Sequence, residues 1–192
     1  MKVTPLAIPD VLLIEPKVFG DHRGFFMETW NQRAFAEAGI DRTWVQDNCS
    51  RSARGVLRGL HYQIGRAQAK LVRCGLGEVF DVAVDIRRGS PTFGRWVGER
   101  LSAENKRAMF VPEGFAHGFL VMSEVAEFSY KCSDFYTPSD ERGVRWDDQG
   151  IGIAWPEVGA KPMLSGRDAV FAALADVPVI DLPPYGNGAA VT

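Results

Sequence analysis

Three closely spaced side chains could do chemistry: Arg58, His61 and Lys70, the first two inside the run VLRGLHYQ (residues 56–63). A buried charge is costly unless paired, so these residues beside glycine and large apolar groups suit a strand lining a pocket better than one filling a core. A neutral imidazole can take a proton at physiological pH, and a nearby carboxylate would fix its tautomer. Arg58 and Lys70 would bind an anion, or stabilise one forming during reaction, and would lower the histidine's pKa so that it stays a base. Alone, His61 reads as a satisfied core or surface residue; its neighbours change that reading. Strict alternation puts Gly59, His61 and Gln63 on one face of a strand and Arg58, Leu60 and Tyr62 on the other. For Arg58 and His61 to serve one site, a bulge at Gly59 must break the alternation, or one of them must lie near an edge or a subunit boundary.

A second constellation is PEGFAHG (112–118), where proline and two glycines make a tight turn that delivers His117 to the start of a strand. A histidine bonded to backbone at that turn is an equally good account of it. Two histidines in a β-structure invite a metal reading, but such sites need three or four converging ligands, and position 63 is glutamine, so no metal is expected. Tyr130 and Tyr136 read first as core or rim residues, although a tyrosine across a pocket from a histidine could act as a general acid. Ser165 and Asp168 form a Ser-x-x-Asp capping box ahead of an apolar run, which predicts a helix starting at Ser165. Arg23 and Glu28 read as rim charges around a short strand.

The elements that must position these residues are nearly all β. Residues 7–16 predict a strand near a sheet edge, 19–24 a turn, 25–30 a strand, and 31–38 a short helix stopped by Gly39. From residue 43 onward, short strands alternate with turns: 43–48, 56–63, 70–74, 77–87, 109–112, 117–122 and 127–132. In 77–87, Phe80, Val82, Val84 and Ile86 share one face while Asp81, Asp85 and Arg87 share the other. Without intervening helices, this spacing predicts an antiparallel sandwich or barrel. The expectation is one domain over residues 1–192, a β-barrel core at about 43–138, an irregular or helical C-terminal segment, and a loose end at 183–188.

Composition narrows the function classes. Apolar residues make up 46% and charged residues 24%, a globular balance. A net charge of −2 offers no global basic field for nucleic acid or anionic lipid. No run approaches a membrane span, and the N-terminus lacks a hydrophobic signal core, so a cytoplasmic protein is expected. Cys49, Cys74 and Cys132 are widely spaced and odd in number, and read as reduced thiols.

The blocks EPKVFGD (15–21), RGFF (23–26), VQDN (45–48), VLRGLH (56–61), KLVRCG (70–75), DVAVDIR (81–87), SPTFG (90–94) and PEGFAHGF (112–119) together resemble the dTDP-4-dehydrorhamnose 3,5-epimerases, enzymes of rhamnose biosynthesis. The resemblance runs from about residue 8 to 168 and implies a cupin-type antiparallel β-barrel (jelly roll) with a few short helices. It implies His61 as catalytic base, Tyr130 as acid on the opposite face of the sugar, Asp168 as the carboxylate orienting the histidine, and Lys70 beside the C4 oxygen. It assigns Arg23, Glu28, Gln46, Asn48, Arg58, His117, Glu141 and Arg167 to substrate binding. The implied reaction inverts C3 and C5 of dTDP-4-dehydro-6-deoxy-D-glucose, with a 3-only epimerase or a 3,4-ketoisomerase as alternatives. No cofactor is implied; the implied partners are the dTDP-sugar and a second copy of the chain in a homodimer. Arg167 stands where lysine is common, and Tyr62 where phenylalanine is.

Overall fold

The computed structural model describes residues 1–186. Two strands, β1 (Lys2–Pro5) and β2 (Leu12–Glu15), open the chain, followed by a hairpin of β3 (Val18–Asp21) and β4 (Gly24–Met27) and by helix α1 (Gln32–Glu37). Then come β5 (Gln46–Ala53), β6 (Leu57–Gln63), β7 (Lys70–Leu76), β8 (Glu78–Asp85), β9 (Trp96–Ser102), β10 (Ala108–Val111), β11 (Phe115–Val121), β12 (Val125–Cys132) and the short β13 (Glu141–Gly143). They form a six-stranded sheet in the order β1-β2-β10-β7-β12-β5 and a five-stranded sheet in the order β13-β6-β11-β8-β9. All pairings between these strands are antiparallel, giving the expected all-β, cupin-type architecture.

The sheets face each other across a core that includes Val72, Met109, Phe119 and Phe128. Both sheets are also covered on their outer faces. Helix α1, capped at Asn31, whose Oδ1 accepts from the Ala34 N–H, buries Phe35 with Ile14, Leu71 and Phe110. On the other side, Val144, Ile151, Leu174 and Leu182 from the C-terminal segment pack on Leu60, Val82, Val84 and Ile86. Burial on two faces explains why β11 is buried throughout and reads as an apolar run. The alternation in β8 holds with one consequence that charge alone conceals: its Asp81 and Asp85 face is the inside of the barrel, and both residues are 0% exposed.

Several expectations need correction. The strand predicted near an edge is β2, which does lie one strand in; what the prediction lacked is β1, the edge strand itself. The predicted turn at 19–24 is mostly strand, because the hairpin turns only at His22 and Arg23 and closes on Gly24 at φ 131°. The helix expected from Ser165 shrinks to a 3-10 turn, Asp168–Val170. Ser165 does accept the Asp168 N–H at 3.1 Å, but the Asp168 carboxylate is committed to β6 and Phe171 is extended. The end is less loose than predicted up to Tyr185: Arg88 N–H donates to Pro183 and Tyr185 N–H donates to Arg88. Residues 187 and 188 of that stretch lie outside the described residues. Among the described residues no helix is long and apolar enough to cross a membrane.

Candidate active site

The site is built on β6. On one side His61 pairs with His117 of β11, but Arg58 pairs with Phe119, so Gly59 and Leu60 together oppose the single residue Gly118. This is the bulge that the parity argument required. Gly59 makes it feasible: its φ is 133°, and a Cβ there would lie 2.5 Å from the Gly118 Cα. The register break lets Leu60 turn to the outer core while Arg58, His61 and Gln63 border one cavity; Tyr62 packs in the outer core and also edges that cavity.

That cavity is about 330 Å³, within the range of small-molecule sites. His61, Arg58 and His117 enter from the five-stranded sheet. Tyr130 of β12, Lys70 of β7 and Gln46 and Asn48 of β5 enter from the six-stranded sheet. His61 and Tyr130 therefore stand on facing walls, an opposition that spacing alone could not reveal. Lys70 neighbours Tyr130 through the β7–β12 pairing, where it is the partner of Cys132. Glu141, at the start of β13, and Arg167 complete the mouth; they form an ion pair, and the Tyr136 hydroxyl donates to Glu141 at 2.6 Å.

Behind His61 lies Asp168, 3% exposed, its Oδ1 2.8 Å from the imidazole Nε2. Its Oδ2 accepts the Gly59 N–H at 3.4 Å. Burial alone would raise the pKa of this carboxylate, but the bonds from His61 and Gly59 outweigh it and hold the pKa below the usual aspartate value. A carboxylate acceptor requires the proton to sit on Nε2, which leaves Nδ1 as the basic nitrogen.

His117 is bonded not to backbone but to buried Asp81, with Nε2 3.0 Å from both carboxylate oxygens. Burial pushes the Asp81 pKa up, against the pull of His117 and Lys70. Burial likewise pushes the Lys70 ammonium below an ordinary lysine, opposed by Cys132, Asp81 and Glu141. Tyr130 moves the other way: burial raises its hydroxyl, which keeps its proton. Arg58 donates from Nε and Nη2 to Ser52 at 3.2 and 3.1 Å, holding its guanidinium at the rim.

Two expected site residues are not brought to this cavity by their own chain. Arg23 lies on the β3–β4 turn, ion-paired with Asp21 and with a 79% exposed side chain. Glu28 accepts from Asn31 Nδ2 at 3.0 Å. Their hairpin exposes Phe19, Phe25 and Phe26. Conversely, Gln63, Gln68, Ser50, Phe119, Cys132 and Tyr136 line the cavity without having been assigned to it. Gln63 and Cys132 were detectable, since each lies two residues along a strand from a site residue, His61 and Tyr130. Among the described residues no three His, Cys, Asp or Glu side chains converge to hold a metal ion.

The family model for dTDP-4-dehydrorhamnose 3,5-epimerase matches residues 5–176. A relative of that name from Pseudomonas aeruginosa is 67% identical over 177 residues, covering 92% of this chain and 97% of the relative. The solved structure of a dTDP-6-deoxy-D-glucose-3,5-epimerase from Legionella pneumophila, in complex with dTDP-4-keto-L-rhamnose, matches with TM-score 0.94 at 50% identity, over 96% of this chain and 98% of that one. A 3'-monoepimerase from Streptomyces bikiniensis in complex with dTDP-quinovose matches with TM-score 0.88 at 40% identity, over 94% and 92%.

Proposed function

Since this chain belongs to the dTDP-4-dehydrorhamnose 3,5-epimerase family, we propose that it inverts C3 and C5 of dTDP-4-dehydro-6-deoxy-D-glucose through an enolate, with His61 as base and Tyr130 as acid. The chain is an epimerase of dTDP-rhamnose biosynthesis; the proposal concerns how its residues perform the reaction. The observation that carries it is the opposition of the His61–Asp168 pair and Tyr130 across one cavity.

C3 and C5 both flank the C4 ketone, so their protons are acidified by enolate formation. His61 Nδ1 takes the proton from one face, and the imidazolium that results is stabilised by the Asp168 carboxylate. Charge develops on O4, where the Lys70 ammonium stabilises it. The Tyr130 hydroxyl returns a proton from the opposite face, completing inversion. Ketone enolisation involves no net redox change, so no electron acceptor is called for. Arg58 and Arg167 hold the diphosphate through charge-assisted hydrogen bonds, while Gln46, Asn48, His117 and Glu141 shape the remaining wall.

The functional unit in this proposal is a homodimer. The exposed Phe19, Phe25 and Phe26 give the hairpin an apolar face suited to a second copy. Such docking would carry Arg23 and Glu28 into the partner's cavity. An Arg23→Ala chain mixed with a His61→Asn chain should then recover activity that neither homodimer has, and no recovery counts against the shared site.

Incubation with substrate in D2O tests the chemistry. Deuterium at both C3 and C5 is expected; label confined to C3 would instead assign the chain to 3-only epimerisation. His61→Asn should abolish exchange at both carbons, and near-normal exchange would remove His61 from the mechanism.

A further inference from the structure

A hydrogen bond fixes the distance of one imidazole nitrogen but leaves the ring free to pivot about that contact. A base that pivots spends part of its time aimed away from its proton. In this site a second contact opposes the pivot. The ring of Phe171 meets the imidazole of His61 edge to face, with centroids 5.8 Å apart and planes at 77°.

The surroundings are shaped for that ring. Gly143 is the register partner of His61 on β13. A Cβ at Gly143 would lie only 2.3–2.6 Å from three carbons of the Phe171 ring. The side chain that a neighbouring strand would normally set beside His61 is therefore missing, and Phe171 occupies its place from another part of the chain. Phe171 directly follows the 3-10 turn that carries Asp168. The segment is tied down on both sides: Asp168 N–H donates to Ser165 Oγ at 3.1 Å, Arg145 N–H to Ala172 O at 2.9 Å, and Leu174 N–H to Asp148 Oδ2 at 2.6 Å. Phe171 does not border the substrate cavity. Its influence runs through His61.

We propose that Phe171 is a positioning residue that acts with Asp168 to hold His61 in one orientation, and that position 143 is glycine to admit its ring. The assignment rests on His61 being the base. Two contacts from one short turn, a carboxylate on Nε2 and an edge-to-face aromatic contact with the imidazole, define the direction of Nδ1 where either alone would not.

The test is a double-mutant cycle read by kcat and KM separately. Phe171→Ala should lower kcat about tenfold, equivalent to about 1.4 kcal/mol, with KM changed by less than about twofold. Gly143→Ala should do the same by displacing the ring. In the Phe171→Ala background, Gly143→Ala should cost less than about twofold more, because the ring it displaces is already gone. Phe171→Leu fills most of the volume and protects the fold, and should recover part of the lost kcat. Additive losses in the double variant, a loss confined to KM, or wild-type kcat in both Phe171 variants would overturn the proposal. His61→Asn is measured alongside. If it still exchanges solvent deuterium, the base assignment fails and this inference with it; if it is inactive while Phe171→Ala is fully active, only the positioning role fails.

Discussion

Asp168 and His61 meet at 2.8 Å although 107 residues separate them along the chain. The same carboxylate reaches the Gly59 N–H, so one side chain clamps both the proposed base and the bulge that aims it into the cavity. Its lowered pKa keeps it ionised at neutral pH, where it can stabilise an imidazolium formed during turnover. In the proposed mechanism the two facing walls of the cavity divide the proton work, and their separate contributions can be measured.

Removing the Tyr130 hydroxyl should uncouple proton removal from inversion. In Tyr130→Phe the base can still take a proton and return a solvent-derived one to the same face. Net epimerisation is expected to fall by about 10²–10⁴-fold, the usual contribution of a general acid, while deuterium still washes into recovered substrate. Equal loss of exchange and epimerisation would argue that Tyr130 does more than donate a proton.

Lys70 should set the alkaline limit of the reaction. Burial lowers its pKa from the ordinary 10.5, whereas burial raises that of Tyr130 above 10.0. Because the two shifts run in opposite directions, the expected order as pH rises is loss of the ammonium first, with enolate stabilisation going with it. Lys70→Met should reduce kcat by about 10²–10³-fold, as loss of one oxyanion-stabilising group does, and the alkaline fall should move to higher pH. A pH–kcat profile with an unchanged alkaline limb in Lys70→Met would assign that limb elsewhere.

Gly59→Ala tests the bulge. The substitution brings a Cβ against Gly118 and the His117 carbonyl at a φ of 133°, with backbone on both sides and nothing soft to yield. A loss of stability above about 2 kcal/mol is expected, measured by denaturant unfolding. Wild-type stability would mean that β6 and β11 can part at no cost.

Away from the cavity, Asp85 should govern acid tolerance. It is 0% exposed, and burial would raise its pKa, but hydrogen bonds from Arg87, Ser90 and Thr92 more than offset this. Since the folded carboxylate holds its proton less tightly than the unfolded one, its stabilisation is complete above roughly pH 4 and is lost as pH falls through the folded-state pKa. Asp85→Asn should lower Tm at pH 7 on the order of 5 °C, from about 2 kcal/mol, because Arg87 loses its buried partner and keeps Asp10. The gap should narrow at pH 3. A gap of the same size at both pH values would mean that ionisation of Asp85 is not what stabilises the fold.

Much of this was legible in residue order. Alternating short strands and regular turns gave the antiparallel class, and the parity conflict between Arg58 and His61 pointed to a bulge that the β6–β11 register contains. What stayed hidden depends on contacts between distant segments. Asp81 and Asp85 look like a solvent face until the opposite face of β8 is covered by Leu174 and Leu182 from far downstream. The capping box at Ser165 is a sound local signal that lost to a tertiary one, because β6 claims the Asp168 carboxylate. Arg23 and Glu28, expected at the site, illustrate the same limit, since neither borders the cavity of its own chain.

The C-terminal strap also orders events in time. Asp168 and Phe171 are translated only after every strand from β1 to β13. A chain ending before residue 165 would lack the Asp168 carboxylate that bonds His61 and the Leu174 and Leu182 side chains that cover the five-stranded sheet. Under the proposed mechanism, competence for catalysis waits on the segment after residue 165, which also completes the core behind the base.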